Sequence, residues 1–123
     1  MQSPIALVVD DHQAVRQALC ERIKVSFRHY QLREAGSIDE ALKIVETEKV
    51  DIVLMDYKLP GMDGVDGTRV VLERSPHTSV VMVSMFNDSS HRSAASKAGA
   101  KAYVCKRAIN RELIPVLEGL MNS

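Results

Sequence analysis

Thiols are scarce: Cys20 and Cys105 are the only cysteines in 123 residues, far apart and without a C-x-x-C spacing. That excludes a disulfide framework and a cysteine-bound zinc, and both are read as reduced packing residues. The four histidines, His12, His29, His77 and His91, are scattered as well. None falls in an H-x-x-x-H or H-E-x-x-H pattern, so a zinc site of that kind has no support. Charge of one sign is not in excess, since 16 basic residues balance 16 acidic ones. Lys and Arg are dispersed along the chain, which argues against direct nucleic acid binding through a basic track. Long hydrophobic runs are missing too. The apolar run Ile5 to Val9 stops at Asp10-Asp11, and Met1-Gln2-Ser3-Pro4 carries no basic leader. Neither a signal peptide nor a membrane span is expected, and the chain reads as soluble and cytoplasmic.

What is present is alternation. Short runs rich in Val, Ile, Leu and Met alternate with longer amphipathic stretches, the pattern of βα units with a parallel sheet between helical layers. The length suits one self-supporting domain over 1–123. The first strand is expected at Ile5–Asp10, followed by a helix from about His12 to Val25 that Asp11 can cap and that turns Val15, Ala18, Leu19 and Ile23 inward. A weaker second strand covers Gln31–Ala35. Ser37-Ile38-Asp39-Glu40 is a capping box opening a helix to about Lys49, with Ile38, Ala41, Leu42 and Val45 inward. The third strand, Asp51–Met55, is uninterrupted and apolar, as a central strand buried on both faces should be, and it ends at Asp56.

Beyond the turn-rich loop Tyr57 to Gly64, a helix is expected over Val65–Arg74, in which Gly67 is a mild cost. A fourth strand at Val80–Met85 precedes a polar, loosely docked helix Ser89–Ala98 that ends at Gly99, a left-handed cap position. The fifth strand is Ala102–Cys105, and Asn110 can cap a final helix in which Pro115 is tolerable near the first turns.

On this frame the polar residues gather at the carboxyl ends of the strands. Asp10 and Asp11 follow the first strand, Asp56 the third, Ser84 lies near the end of the fourth, and Lys106 follows the fifth. In open α/β sheets ligands bind outside the carboxyl ends at the point where strand order reverses, which for the order 2-1-3-4-5 lies between the first and third strands. Carboxylates crowded there repel unless a cation sits among them. Oxygen ligands with room for water suit Mg²⁺ or Mn²⁺. A nearby lysine and hydroxyl supply the charge neutralisation that phosphoryl transfer needs, which makes Asp56 the nucleophile. Taken singly, Asp10-Asp11 reads as a helix cap, Asp56 as the start of a loop and Lys106 as a surface lysine; their convergence on four strand ends outweighs those readings.

The chain resembles the receiver domain of two-component response regulators over essentially its whole length. The resemblance rests on Leu7-Val8-Val9-Asp10-Asp11-His12, on Leu54-Met55-Asp56 through Gly64, on Val83-Ser84-Met85, and on Ala98 through Lys106. It implies a flavodoxin/CheY-like fold, a doubly wound five-stranded parallel sheet flanked by five helices. It further implies that Asp56 accepts a phosphoryl group from a histidine kinase or phosphotransfer protein. Asp11, Asp56 and the main-chain carbonyl of Lys58 would hold Mg²⁺, with Asp10 acting through water. Lys106 would bind the phosphoryl group, Ser84 would be the switch hydroxyl, and Tyr103 the aromatic whose ring reports the switch; a half-buried strand aromatic is the plainer reading of Tyr103. The surface from the fourth helix through the fifth strand to the fifth helix would change, a homodimer through it being plausible, and hydrolysis would reset the protein, which is thus a switch and not a turnover enzyme.

The sequence departs from the family pattern at two places. Arg107 stands where many receivers have proline, which puts the cis peptide often found there in doubt, and Met85 is bulkier than the usual residue after the switch hydroxyl. Both features resemble LuxR-type receivers, which usually precede a DNA-binding domain not present in 1–123. A receiver of a transcription regulator is the preferred reading, with a stand-alone receiver or phosphorelay protein as the alternative. A Mg²⁺-dependent phosphatase of the haloacid-dehalogenase type would place Asp-x-Asp after one strand, whereas Asp10 and Asp11 are adjacent.

Overall fold

The apolar runs pair side by side into one parallel sheet. In the computed structural model, which describes residues 3–121, the strands are β1 (Ile5–Val9), β2 (Gln31–Ala35), β3 (Ile52–Asp56), β4 (Ser79–Ser84) and β5 (Ala102–Cys105). They lie in the order β2-β1-β3-β4-β5, as expected. Four helices fill the crossovers, α1 (Gln13–Ser26), α2 (Ile38–Thr47), α3 (Gly64–Arg74) and α4 (Ser89–Ala98), and α5 (Ile109–Met121) follows the last strand.

Side chains alternate across each strand, so the sheet has two cores. Strand β1 sends Ile5, Leu7 and Val9 to one layer together with Val53, Met55, Val80 and Met82, where Ile38, Ala41 and Val45 of α2 and Val71 of α3 close over them. Ala6 and Val8 face the other layer with Ile52, Leu54, Val81 and Val83, beneath Leu19 and Ile23 of α1 and Leu113 and Leu117 of α5. Each large side chain so buried contributes roughly 1.5–3 kcal/mol. Because β1 and β3 are bonded neighbours, with Val9 opposite Met55, the residues that follow them emerge together at one edge.

Several local expectations are corrected. Helix α1 is not capped by Asp11; its N-cap is His12, whose amide donates to Asp10 Oδ1 at 2.8 Å. Asp10, the residue two before the amide, has the reach of an Asx turn, which Asp11 lacks. Val15 and Ala18 are exposed, because the inward stripe of α1 narrows to Leu19 and Ile23 at this end. Asn110 is not a cap either. A 3₁₀ turn over Lys106–Ala108 leads into α5, and Asn110 lies in the first turn, bonded to the Arg22 guanidinium through its side chain. Strand β4 ends at Ser84, leaving Met85 outside it and half exposed. All peptides described are trans, including that of Arg107, which lies in the 3₁₀ turn.

Other signals hold. Ser37 accepts from the Glu40 amide, and Glu40 Oε1 reaches back to the Gly36 amide at 2.9 Å. Gly99 closes α4 with φ 110°, in the left-handed region expected. Gly67 is more than a tolerated cost: a Cβ there would press on Ile38 Cδ1, so the missing side chain lets α3 approach α2. Among the described residues no helix is long and apolar enough to cross a membrane.

Candidate functional site

The strand ends deliver their polar residues into one cleft of about 610 Å³, lined among others by Asp11, His12, Asp56, Lys58, Ser84 and Lys106. Asp56, the last residue of β3, is only 4 % exposed, and Asp10 only 2 %. Lys106 Nζ sits 3.1 Å from Asp56 Oδ1 and 3.8 Å from Asp10 Oδ2, so one ammonium serves two buried carboxylates. Asp56 Oδ1 also accepts from the Lys58 amide at 3.4 Å. Burial nevertheless dominates: it raises the Asp56 carboxyl above its ordinary value, against the opposing pull of Lys106 and with a further push from Asp10.

The acids are grouped more tightly than their sequence positions imply. Asp10, Asp11, His12 and Asp56 each present a ligand atom, and these four atoms lie within 4.8 Å of one another. Asp10 is fixed from behind, since its main-chain carbonyl accepts from Arg16 Nη1 at 2.8 Å while Arg16 Nε is held by Glu34 at 2.9 Å. Three carboxylates facing one lysine leave an excess of negative charge in a partly buried cleft, a donor set that fits a hard divalent cation.

Ser84 is buried in the same cleft, its hydroxyl oxygen accepting from the Phe86 amide at 3.0 Å. The Phe86 carbonyl in turn accepts from Tyr103 Oη at 2.8 Å. Phe86 therefore joins Ser84 to Tyr103 through its two main-chain polar groups, a link the sequence did not announce. Its ring stacks on His91 at 4.1 Å between centroids and meets Tyr57 edge-on at 5.8 Å. Asp88 caps α4 and bonds His91 Nδ1 at 2.6 Å. Arg92 lies over the Tyr103 ring, 4.7 Å from its centroid. His12 also escaped the sequence reading, although its place directly after the paired acids was the available signal.

Gly64 is needed at the base of the cleft. Its amide donates to the Tyr57 carbonyl at 2.7 Å, and a Cβ would run into the Asp56 carbonyl oxygen. The first residue of α3 thus closes the loop after Asp56 by direct contact of backbone on backbone.

Residues 6–118 match the family described as the response regulator receiver domain. The chain belongs to this family. An uncharacterized transcriptional regulatory protein of Bacillus subtilis (strain 168), YhcZ, is 33 % identical over 108 residues, 88 % of this chain and 50 % of that protein. A two-component response regulator of the LuxR family from Aurantimonas sp. SI85-9A1 has a TM-score of 0.89 at 29 % identity, covering 98 % of this chain and 86 % of that one. Response regulator TrrA of Thermotoga maritima, solved in complex with Mg²⁺-BeF, has a TM-score of 0.82 at 26 % identity over 95 % and 98 % of the two chains. The receiver domain spans about half the length of the curated relatives it matches. It is a signalling domain of two-component response regulators, with transcriptional regulators among its relatives.

Proposed function

We propose that Asp56 is the phosphoacceptor of this receiver domain. The observation that carries the reading is the buried Asp56 carboxylate with Lys106 Nζ at 3.1 Å and the carboxylates of Asp10 and Asp11 beside it. A carboxylate oxygen of Asp56 attacks the phosphorus of a phosphohistidine on a histidine kinase or phosphotransfer protein. The P–O bond forms as the P–N bond breaks, and the imidazole leaves as a neutral ring after taking up a proton. Lys106 is placed to neutralise a phosphoryl oxygen without moving far. Asp11, Asp56 and the Lys58 carbonyl hold Mg²⁺ or Mn²⁺, with Asp10 acting through water. Bound there, the ion offsets the charge that builds up on the transferring group.

Ser84 and Tyr103 form the switch. When the Ser84 hydroxyl turns to donate to a phosphoryl oxygen, the Phe86 amide loses its acceptor and the loop that also holds Tyr103 is released. The α4, β5 and α5 surface then shifts its population toward the active form, for which a bias of a few kcal/mol suffices. Hydrolysis of the acyl phosphate resets the domain, which is a self-modifying regulator and not a turnover enzyme. Relatives about twice as long and named as transcriptional regulatory or activator proteins support a role for residues 1–123 as the input domain of such a regulator. A homodimer through the switch surface is part of the same reading.

Intact mass after incubation with acetyl phosphate and Mg²⁺ tests it. An added phosphoryl group on the unmutated chain and none on Asp56→Asn is expected; an unlabelled native chain under conditions that label other receivers overturns the proposal.

A further inference from the structure

We infer that His12 Nδ1 is an additional ligand at the divalent-ion site, giving this domain a preference for borderline 3d ions of the Mn²⁺ to Zn²⁺ class over Mg²⁺. The inference rests on reading the cleft as a divalent-ion and phosphoryl site. A site of carboxylates, a carbonyl and water already favours 3d ions over Mg²⁺ to a modest degree, and an imidazole nitrogen adds a further preference that its removal should abolish. His12 Nδ1 is 3.2 Å from Asp10 Oδ1 and 3.2 Å from Asp11 Oδ1. Adjacent ligands on an ion bonded at about 2.1 Å stand about 3 Å apart, and opposite ones about 4.2 Å. The separation from Asp11 Oδ1 matches adjacent positions on one ion, while Asp10, which acts through water, fixes His12 through its main-chain amide; all four atoms lie within 4.8 Å of one another.

The backbone holds the ring in that place. His12 is the N-cap of α1 in extended conformation, and its amide is bonded to Asp10 Oδ1 at 2.8 Å, the same oxygen that faces its ring nitrogen. The ring thus stands over the acids, while 68 % of the side chain remains open to solvent. From that open side His12 Nδ1 would take a coordination position otherwise left to solvent. The plainer account, a ring N–H donating to two carboxylates, makes a different forecast, because a glutamine amide can donate in the same way and is a poor ligand for nickel.

The test is calorimetric titration with NiCl₂ and separately with MgCl₂, counting only the Ni²⁺ binding that excess Mg²⁺ displaces, so that His29, His77 and His91 do not contribute. In the native chain Ni²⁺ should bind more tightly than Mg²⁺. His12→Ala and His12→Gln should each weaken the Mg²⁺-displaceable Ni²⁺ binding about tenfold or more. Affinity for Mg²⁺ should stay within about twofold. Unchanged Ni²⁺ affinity, equal losses for both metals, or full rescue by glutamine would overturn the inference, while Mg²⁺-dependent labelling by acetyl phosphate in the same samples would leave Asp56 standing as phosphoacceptor. Absence of both Mg²⁺ binding and labelling in the native chain would bring down that underlying reading, and the inference with it.

Discussion

Lys106 Nζ stands 3.1 Å from Asp56 Oδ1, so the buried Asp56 carboxylate already has a cationic partner in the unmodified domain. The same ammonium also lies 3.8 Å from Asp10 Oδ2. One positive charge shared between two buried acids makes the resting site electrostatically unfavourable.

Asp56→Asn should stabilise the metal-free protein by about 1 kcal/mol at pH 7, since it removes one of two competing acids and leaves Lys106 paired with Asp10. The folded-state value of Asp56 is raised, so its contribution favours the native chain in acid and is lost as pH rises through that value. The gap between variant and native chain should therefore widen from about pH 4 upward. Urea unfolding in chelator across this range measures it; a gap that narrows with rising pH would contradict the argument.

Lys106→Ala removes the shared cation and leaves Asp10 and Asp56 facing each other. The loss should be on the order of 3 kcal/mol without divalent ions, as for other broken buried pairs. Added Mg²⁺ should recover part of it, while labelling by acetyl phosphate falls sharply. Denaturant midpoints with and without Mg²⁺, beside intact mass, check both halves.

Gly64→Ala should cost about 2 kcal/mol, because the new Cβ meets the Asp56 carbonyl oxygen and Tyr57 Cα, neither of which can swing away. Gly119→Ala is the control, since a Cβ there has nothing within 4 Å. Equal midpoints for the two variants would refute the close-approach argument.

Met85 lines the cleft mouth beside Ser84 and Phe86. Met85→Ala should let water reach the acyl phosphate more freely and shorten its lifetime, measured by loss of the adduct after the phosphodonor is removed. An unchanged lifetime would eliminate this role.

Burial pushes the Cys20 thiol up to about 11, with Glu34 adding to the effect. At pH 8 its thiolate fraction should be about two orders of magnitude below that of a free thiol. Iodoacetamide labelling followed by mass spectrometry should show Cys20 reacting correspondingly slowly in the native chain and at the ordinary rate in urea.

Legibility differed by the range of the interaction that decides each feature. The apolar run Ile52–Met55, the Ser37 to Glu40 capping box and the left-handed Gly99 are governed by a few consecutive residues, and all stand in the structure where the sequence placed them. The convergence of Asp10, Asp11, Asp56, Ser84 and Lys106 stands too, because parallel βα units bring strand ends to one edge, and the strand order is the one the family resemblance implied. The caps of α1 and α5 were misjudged where a remote or offset partner intervened. Asn110 is taken by Arg22, 88 positions earlier, and at α1 no side chain caps the helix, Asp10 instead accepting from the amide of the N-cap His12.

The sequence by itself determined the alternation of strand and helix, since periodicity and turn chemistry are local, and the set of polar residues at the strand ends; the order of the sheet came with the family resemblance. Only the tertiary structure decided that Lys106 is shared by two acids, that Phe86 ties Ser84 to Tyr103, that His12 leans over the carboxylates, and that Gly67 is a contact between helices. Those relationships are distances between side chains from separate elements, fixed when the two cores pack and not before.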